Sequence, residues 1–283
     1  MNKIITCIDG SALSHGVCQA GVWASNKLSK TLLLLHAIEK SNTPSAEDLS
    51  GAIGLGARTT LLQEMVSLDE QRGKVALELG REILDHAAQM ASAQAREHIE
   101  KIQRHGGIVD AICDLEADAR IIVMGRKGAG SGENVKALGS HIEQIIRRVH
   151  TPVLIVSRDF VEPKNFMLAY DGRETADKAV KRIIEGGLLY NMTCHLVTVN
   201  NNQAGLFDKF KSTEAMLVAH GFDVQSSFLE GNVFNVLMDY KKDQHVDLLV
   251  MGAFSRSKLA TVFLGSNTLK MIENTLRPLL VLR

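Results

Sequence analysis

Two kinds of glycine-bearing loop hold the residues best suited to chemistry, and each occurs twice. The first kind is acidic: Asp9-Gly10-Ser11 follows an apolar run, and Asp171-Gly172 follows another. A carboxylate there can accept hydrogen bonds from ribose hydroxyls, or it can cap the next helix by accepting from free amides. The second kind reads Gly125-Arg126-Lys127-Gly128-Ala129-Gly130-Ser131-Gly132, directly after IIVM. Glycines permit positive φ and close backbone approach, so successive amides can line an anion nest. Further on, Gly139-Ser140 opens an amphipathic helix whose first amides lack intrahelical partners. Arg126 and Lys127 add positive charge at the same place. Later in the chain Gly252, Arg256 and Lys258 precede Gly265-Ser266-Asn267-Thr268. Both stretches suit a phosphate-bearing ligand. A turn followed by an ordinary Ser cap is the competing reading.

Other chemistry finds less support. Neither loop has the Gly-x-x-x-x-Gly-Lys-Ser/Thr order, and no Gly-x-Gly-x-x-Gly follows the first strand. The histidines are scattered, and most read as solvent-facing or capping residues. His36, on an apolar strand, reads as a packed, hydrogen-bonded side chain rather than a base. No residue types cluster as metal ligands, and no serine has the surroundings of a nucleophile. The four cysteines, Cys7, Cys18, Cys113 and Cys194, have no metal-like spacing and read as reduced thiols.

The elements that must carry these loops are written twice. IITCIDGSALS at 4–14 corresponds to FMLAYDGRETA at 166–176, and ARIIVMGRKG at 119–128 to VDLLVMGAFS at 246–255. LGSHIEQIIRRVHTPVLIVS at 138–157 corresponds to LGSNTLKMIENTLRPLLVLR at 264–283. Three matched blocks in one order indicate duplication. Continuous apolar runs such as Thr31–Ile38 read as central strands covered on both faces. Ile142, Ile145, Ile146 and Val149 recur at helical spacing, as do Ala176, Ala179, Val180 and Ile183. Alternating buried strands and amphipathic helices specify an α/β fold with a parallel sheet in each half.

The expected domains are residues 1–158 and 164–283, joined where Pro and charge interrupt two apolar strands. Most of the first copy's extra length lies in an insertion near 40–80. Its GAIGLG core leads into a helix expected from about Thr60 to Ala95. That segment is either a lid over the first half's ligand mouth or a plain surface insertion.

The 283 residues are 45% apolar, with 32 basic and 32 acidic side chains. Such a composition argues against disorder, and zero net charge gives no steering toward nucleic acid or an anionic membrane. The apolar run at the start is shorter than the roughly 7–15 residues of a secretory core. No apolar stretch reaches the roughly 18 residues of a membrane span. These features set the expectation of a cytoplasmic protein with neither nucleic-acid nor membrane partners.

The chain resembles a tandem universal stress protein, with two UspA-like domains in one polypeptide. The resemblance rests on IITCIDGSALS with MLAYDGRETA, on IIVMG with LLVMG, and on Gly-Ser helix starts followed by TPVLIVS and RPLLVLR. It covers both halves apart from the insertion. It implies two Rossmann-like parallel-sheet domains forming an intrachain pseudo-dimer, with Val153–Val156 and Leu279–Leu282 pairing antiparallel across the twofold.

Many family members bind ATP through Gly, two residues, Gly, nine residues, then Gly-Ser/Thr. Gly125 and Gly128 match, but ten residues (129–138) precede Gly139-Ser140, and Ile142 stands where a hydroxyl is common. In the second half nine residues separate Ser255 from Gly265-Ser266, and Thr268 supplies the hydroxyl, although Ser255 replaces a glycine. The resemblance places Asp9 and Asp171 at ribose or adenine, with Ala37 and Val199 beside the base. The second site, Asp171, Val199, Gly252, Ser255, Gly265, Ser266 and Thr268, is the better match. The first comprises Asp9, Ala37, Gly125, Gly128, Gly139 and Ser140.

Three functions follow from the resemblance. One is a stress-response protein with ATP or a related adenine nucleotide as regulatory ligand, and a divalent ion such as magnesium where ATP is bound. A homodimer or a regulatory protein partner fits this role. A second is a scaffold or small-ligand module without nucleotide. An enzyme is the third, but weak ATP hydrolysis would have to rely on backbone amides and the divalent ion, because no base or nucleophile is nominated.

Overall fold

A computed structural model describes residues 2–39, 55–126, 140–200, 202–252 and 277–283, without side-chain detail for 55–62 and 140. In the first half β1 (Lys3–Cys7), α1 (Ser14–Leu28), β2 (Thr31–Ile38), α2 (Leu55–Ser92) and β3 (Ile99–His105) come first. They are followed by α3 (Ile108–Leu115), β4 (Ala119–Gly125), α4 (Ser140–Arg148) and β5 (Val153–Val156). The second half continues with β6 (Asn165–Ala169), α5 (Glu174–Gly186), β7 (Thr193–Val199), α6 (Leu206–Ala219) and β8 (Asp223–Leu229). It ends with α7 (Val233–Asp243), β9 (Leu248–Gly252) and β10 (Leu279–Leu282).

All strands join one ten-stranded sheet in the order β3-β2-β1-β4-β5-β10-β9-β6-β7-β8. Pairing is parallel within each half. At the junction β5 and β10 run antiparallel, with Leu279 opposite Ile155 and Val281 opposite Val153. The expected pseudo-dimer is therefore present, and it satisfies two edges that would otherwise template aggregation.

The apolar runs explain the layering. Successive strand residues point to opposite faces, so one run supplies two cores. Ile4, Leu32, Leu34, Ile121 and Val123 pack on the α1–α2 side. Ile5, Leu33, Leu35, Ile122 and Met124 pack on the α3–α4 side. Each buried Leu or Ile contributes about 1.5–3 kcal/mol, so a polar residue in either register is costly.

Side chains also tie the halves together. The Arg120 Nη2 donates to the Gly186 carbonyl at 2.8 Å, at the last turn of α5. The Arg283 Nη1 donates to the Arg147 and Val149 carbonyls at 2.7 and 2.9 Å, at the end of α4. Cations there meet free carbonyls and the negative pole of the helix dipole. The connecting segment packs against α1: the Trp23 Nε1 donates to Glu162 at 3.2 Å, and the Trp23 ring lies 5.6 Å from Phe160.

The helix of the insertion starts at Leu55 rather than near Thr60. Its last turns bury Gly80, Leu84, Ala87 and Ala91, covering the part of the sheet that α6 covers in the second half. Among the described residues before Gly80, Val66, Leu68, Val75 and Leu79 are exposed. The stretch of the insertion before Leu55 lies mostly outside the described residues.

His195 departs from the surface reading. It is 4% exposed on β7, and its Nδ1 lies 3.1 Å from the Tyr240 hydroxyl of α7. The strand period turns it inward, and Tyr240 supplies the partner that makes burial tolerable. Burial holds its imidazole below the usual range, with Asp223 opposing the shift. The unfolded chain therefore takes up the proton first as pH falls. Stability is expected to drop as pH falls below about 6.5. Urea melts at pH 7.5 and 5.5 should show a smaller drop for His195→Gln than for the parent.

Candidate functional site

In each half the chain moves outward from β1 through β2 to β3, then returns to the opposite side of β1 at β4. The reversal opens a crevice at the carboxyl ends of β1 and β4, the usual ligand position in such sheets. Asp9 follows β1, Ala37 lies near the end of β2, and Gly125 ends β4. In the second half Asp171 follows β6, Val199 ends β7, and Gly252 ends β9. The structure thus brings these six residues to two equivalent carboxyl edges. Gly128, Gly139, Ser255, Gly265, Ser266 and Thr268 lie outside the described residues, and Ser140 is described only as the first residue of α4.

The acidic turns differ from helix caps. Asp9 Oδ1 accepts from the Ser11 amide at 2.9 Å and from the Ser14 hydroxyl at 3.0 Å. Asp171 Oδ1 accepts from the Arg173 amide at 3.1 Å, and Arg173 Nε stands 3.5 Å from Oδ2. Bonds to a backbone amide two residues on are Asx turns. The N-cap positions of α1 and α5 belong to Leu13 and Arg173. Capping is therefore not what these carboxylates do.

Gly10 and Gly172 make the turns possible, at φ +75° and +72°. They also admit a helix. A Cβ on Gly10 would meet Ile83 of α2 at 2.8 Å, and one on Gly172 would meet Leu206 of α6 at 2.5 Å. Both halves thus place a helix against the acidic turn, so this contact of α2 is not peculiar to the insertion.

One position before the expected base-lining residues, both halves repeat another tie. The His36 Nδ1 is bonded to the Ile8 carbonyl at 2.8 Å, and the Thr198 hydroxyl donates to the Tyr170 carbonyl at 2.9 Å. His36 is the packed, hydrogen-bonded residue expected of it. The pair His36/Thr198 fixes strand ends beside Ala37 and Val199, a role hidden in the sequence because the two side chains differ.

Glycine at 252 has a packing explanation as well. A Cβ there would stand 2.8 Å from the Thr175 carbonyl oxygen, in the first turn of α5. Arg126, directly after Gly125, is 6% exposed, and burial lowers its guanidinium to about 10. Among the described residues no group of His, Cys, Asp or Glu is placed to hold a metal.

Two repeated α/β units sharing one sheet, each with an acidic Asx turn at its crevice, define a tandem pseudo-dimer of Rossmann-like domains. The family model for universal stress proteins matches residues 1–157 and 202–283, so the chain belongs to the universal stress protein family. It is 27% identical over 287 residues to universal stress protein Slr1230 of Synechocystis, spanning the full length of both. A universal stress protein structure from Archaeoglobus fulgidus superposes with a TM-score of 0.76 at 20% identity, covering 100% of this chain and 98% of that one. A structure from Pseudomonas aeruginosa gives 0.63 at 13% identity, covering 100% and 93%. At these identities the structural matches speak to the fold. No described helix is long and apolar enough to cross a membrane.

Proposed function

We propose that this stress protein binds ATP or another adenine nucleotide as a regulatory ligand, with the second half as the better site. The observation that carries the reading is the repeated crevice: Asp9 with Ala37 and Gly125, and Asp171 with Val199 and Gly252, at equivalent strand ends. The Asx turns hold both carboxylates at the crevice, where ribose hydroxyls would meet them. Phosphate would then fall to Gly265, Ser266 and Thr268 in the second half. In the first half it would fall to Gly128, Gly139 and Ser140. A magnesium ion bound with ATP would offset charge on the phosphate oxygens.

A scaffold without nucleotide is favoured by one observation: Gly10, Gly172 and Gly252 each have a neighbouring element that accounts for the missing Cβ. Ligand identification separates the two readings. Protein purified without denaturation or high salt should release an adenine nucleotide, detected by mass spectrometry, and should melt at a higher temperature when that nucleotide is added. No released nucleotide and no shift would favour the scaffold.

A further inference from the structure

The junction between the halves gathers positive charge around a buried guanidinium, Arg126, whose Nε has no hydrogen-bond partner among the described residues. Gly125 of β4 lies beside Val156 of β5, and the Arg126 amide donates to the Val156 carbonyl at 2.9 Å. Across the seam Leu279 lies opposite Ile155. Continuing both registers puts Arg126 and Arg277 on either side of Ser157, roughly two strand spacings or about 10 Å apart. They share a face. Met124, Ile155 and Leu279 all pack on the α3–α4–α7 side, and two residues further the pleat returns to that side.

Lys241 comes from α7, which packs on the same side. Burial pushes its ammonium below the usual lysine range, and the charges of Arg277 and Arg126 push it further. Lys241 is therefore repelled by both guanidiniums. Arg277 Nη1 stands 4.0 Å from Asp247 Oδ1, whose other oxygen accepts from the Lys164 amide at 3.0 Å. The Arg126 Nε is buried without a hydrogen-bond partner among the described residues, and no described carboxylate forms an ion pair with this guanidinium. A buried guanidinium in that setting is costly unless an anion joins it.

We propose that Arg126, Lys241 and Arg277 form an anion site across the junction of the two halves, shaped for an oligophosphate group. The guanidinium fork matches phosphate oxygens in geometry, and an extended polyanion can reach three separated cations where a single carboxylate cannot. The ligand is either a free oligophosphate or the phosphate tail of a nucleotide. Because Lys241 and Arg277 come from the second half, occupancy fastens that half onto the end of β4. This site does not rest on the second-half nucleotide reading.

The test uses the full chain carrying Gly139→Val, Gly265→Val and Ser266→Ala, so that neither half's proposed nucleotide crevice contributes. Calorimetric titration with inorganic tripolyphosphate, and separately with ATP, is compared among this background, Arg126→Met and Lys241→Met. Each added substitution is expected to weaken binding about tenfold or more. In phosphate-free buffer Arg126→Met should raise the melting temperature, since it removes a buried charge that has no ion-pair partner among the described residues. Binding of tripolyphosphate assigns a free oligophosphate, and binding of ATP alone assigns a nucleotide tail. Unchanged affinity for both probes in both variants, or no binding of either by the background protein, would overturn the site. Lys241→Met, at a half-buried position, keeps the test valid if Arg126→Met folds poorly.

Discussion

Replacing Leu280 with Asp is expected to destroy the coupled folding of the two halves. Leu280 lies opposite Leu154 on the antiparallel seam, and the two side chains are 2% and 0% exposed. Truncation to Ala should cost about 2–5 kcal/mol. A neighbouring cavity of about 330 Å³, lined in part by Ile121, Ile183, Leu188 and Leu282, would grow in the process. A carboxylate at the same position sits among buried apolar side chains, and desolvating it adds several kcal/mol more. Since whole domains are stable by only about 5–15 kcal/mol, the Asp variant should fail to fold as one unit. Urea denaturation followed by circular dichroism should show one transition for the parent, an earlier midpoint for Leu280→Ala, and little folded baseline for Leu280→Asp. A Leu280→Asp midpoint within experimental scatter of the parent would mean the seam contributes little.

The second large effect lies at the end of β9. Gly252→Ala brings a Cβ to 2.8 Å from the Thr175 carbonyl oxygen and 3.2 Å from its carbon. The obstacle is backbone, so α5 must move away from the sheet. Overpacking of this kind costs about 1–3 kcal/mol, and Val at 252 should exceed that. Gly73 is the contrast: it lies within α2, and a Cβ there meets nothing within 4 Å. Gly73→Ala should stabilise by about 0.5–1 kcal/mol through helix propensity alone. Thermal melts of the two Ala variants should move in opposite directions. Equal shifts for both would contradict the packing argument at Gly252.

Much of the fold was legible because it is written in runs and repeats. LLLL at 32–35 and IIVM at 121–124 admit few placements other than central strands covered on both sides. The family resemblance implied that the strands in the matched ends TPVLIVS and RPLLVLR pair at the seam, and Leu279 indeed lies opposite Ile155. Periodicity located the start of α2 more loosely, because Gly54 and Gly56 flank Leu55 and glycine is a poor helix former. Of the candidate site, the sequence located the two acidic turns but left their hydrogen bonding open. Only the bonds to Ser11 and Arg173 distinguish an Asx turn from a cap.

Contacts between distant segments had no local signal. His195 is enclosed by Tyr240, 45 residues away, and Arg120 grips the end of a helix in the other half. Arg126 could be tied to anion binding from its place beside Gly125. Lys241 and Arg277 could not, because only the antiparallel seam brings the start of β10 and the end of α7 toward β4.

Adenine nucleotide binding at the second crevice is tested most directly by isothermal titration of ATP into the parent chain and into the Gly265→Val, Ser266→Ala chain. A valine at 265 obstructs close backbone approach to phosphate, and losing the Ser266 hydroxyl removes a donor. Losing charge-assisted hydrogen bonds worth about 1.5–3 kcal/mol corresponds to roughly a ten- to hundredfold weaker second-half site. The account predicts that this loss appears while circular dichroism remains that of the folded parent. Equal ATP affinity in the two proteins, or no binding to the parent, would contradict it.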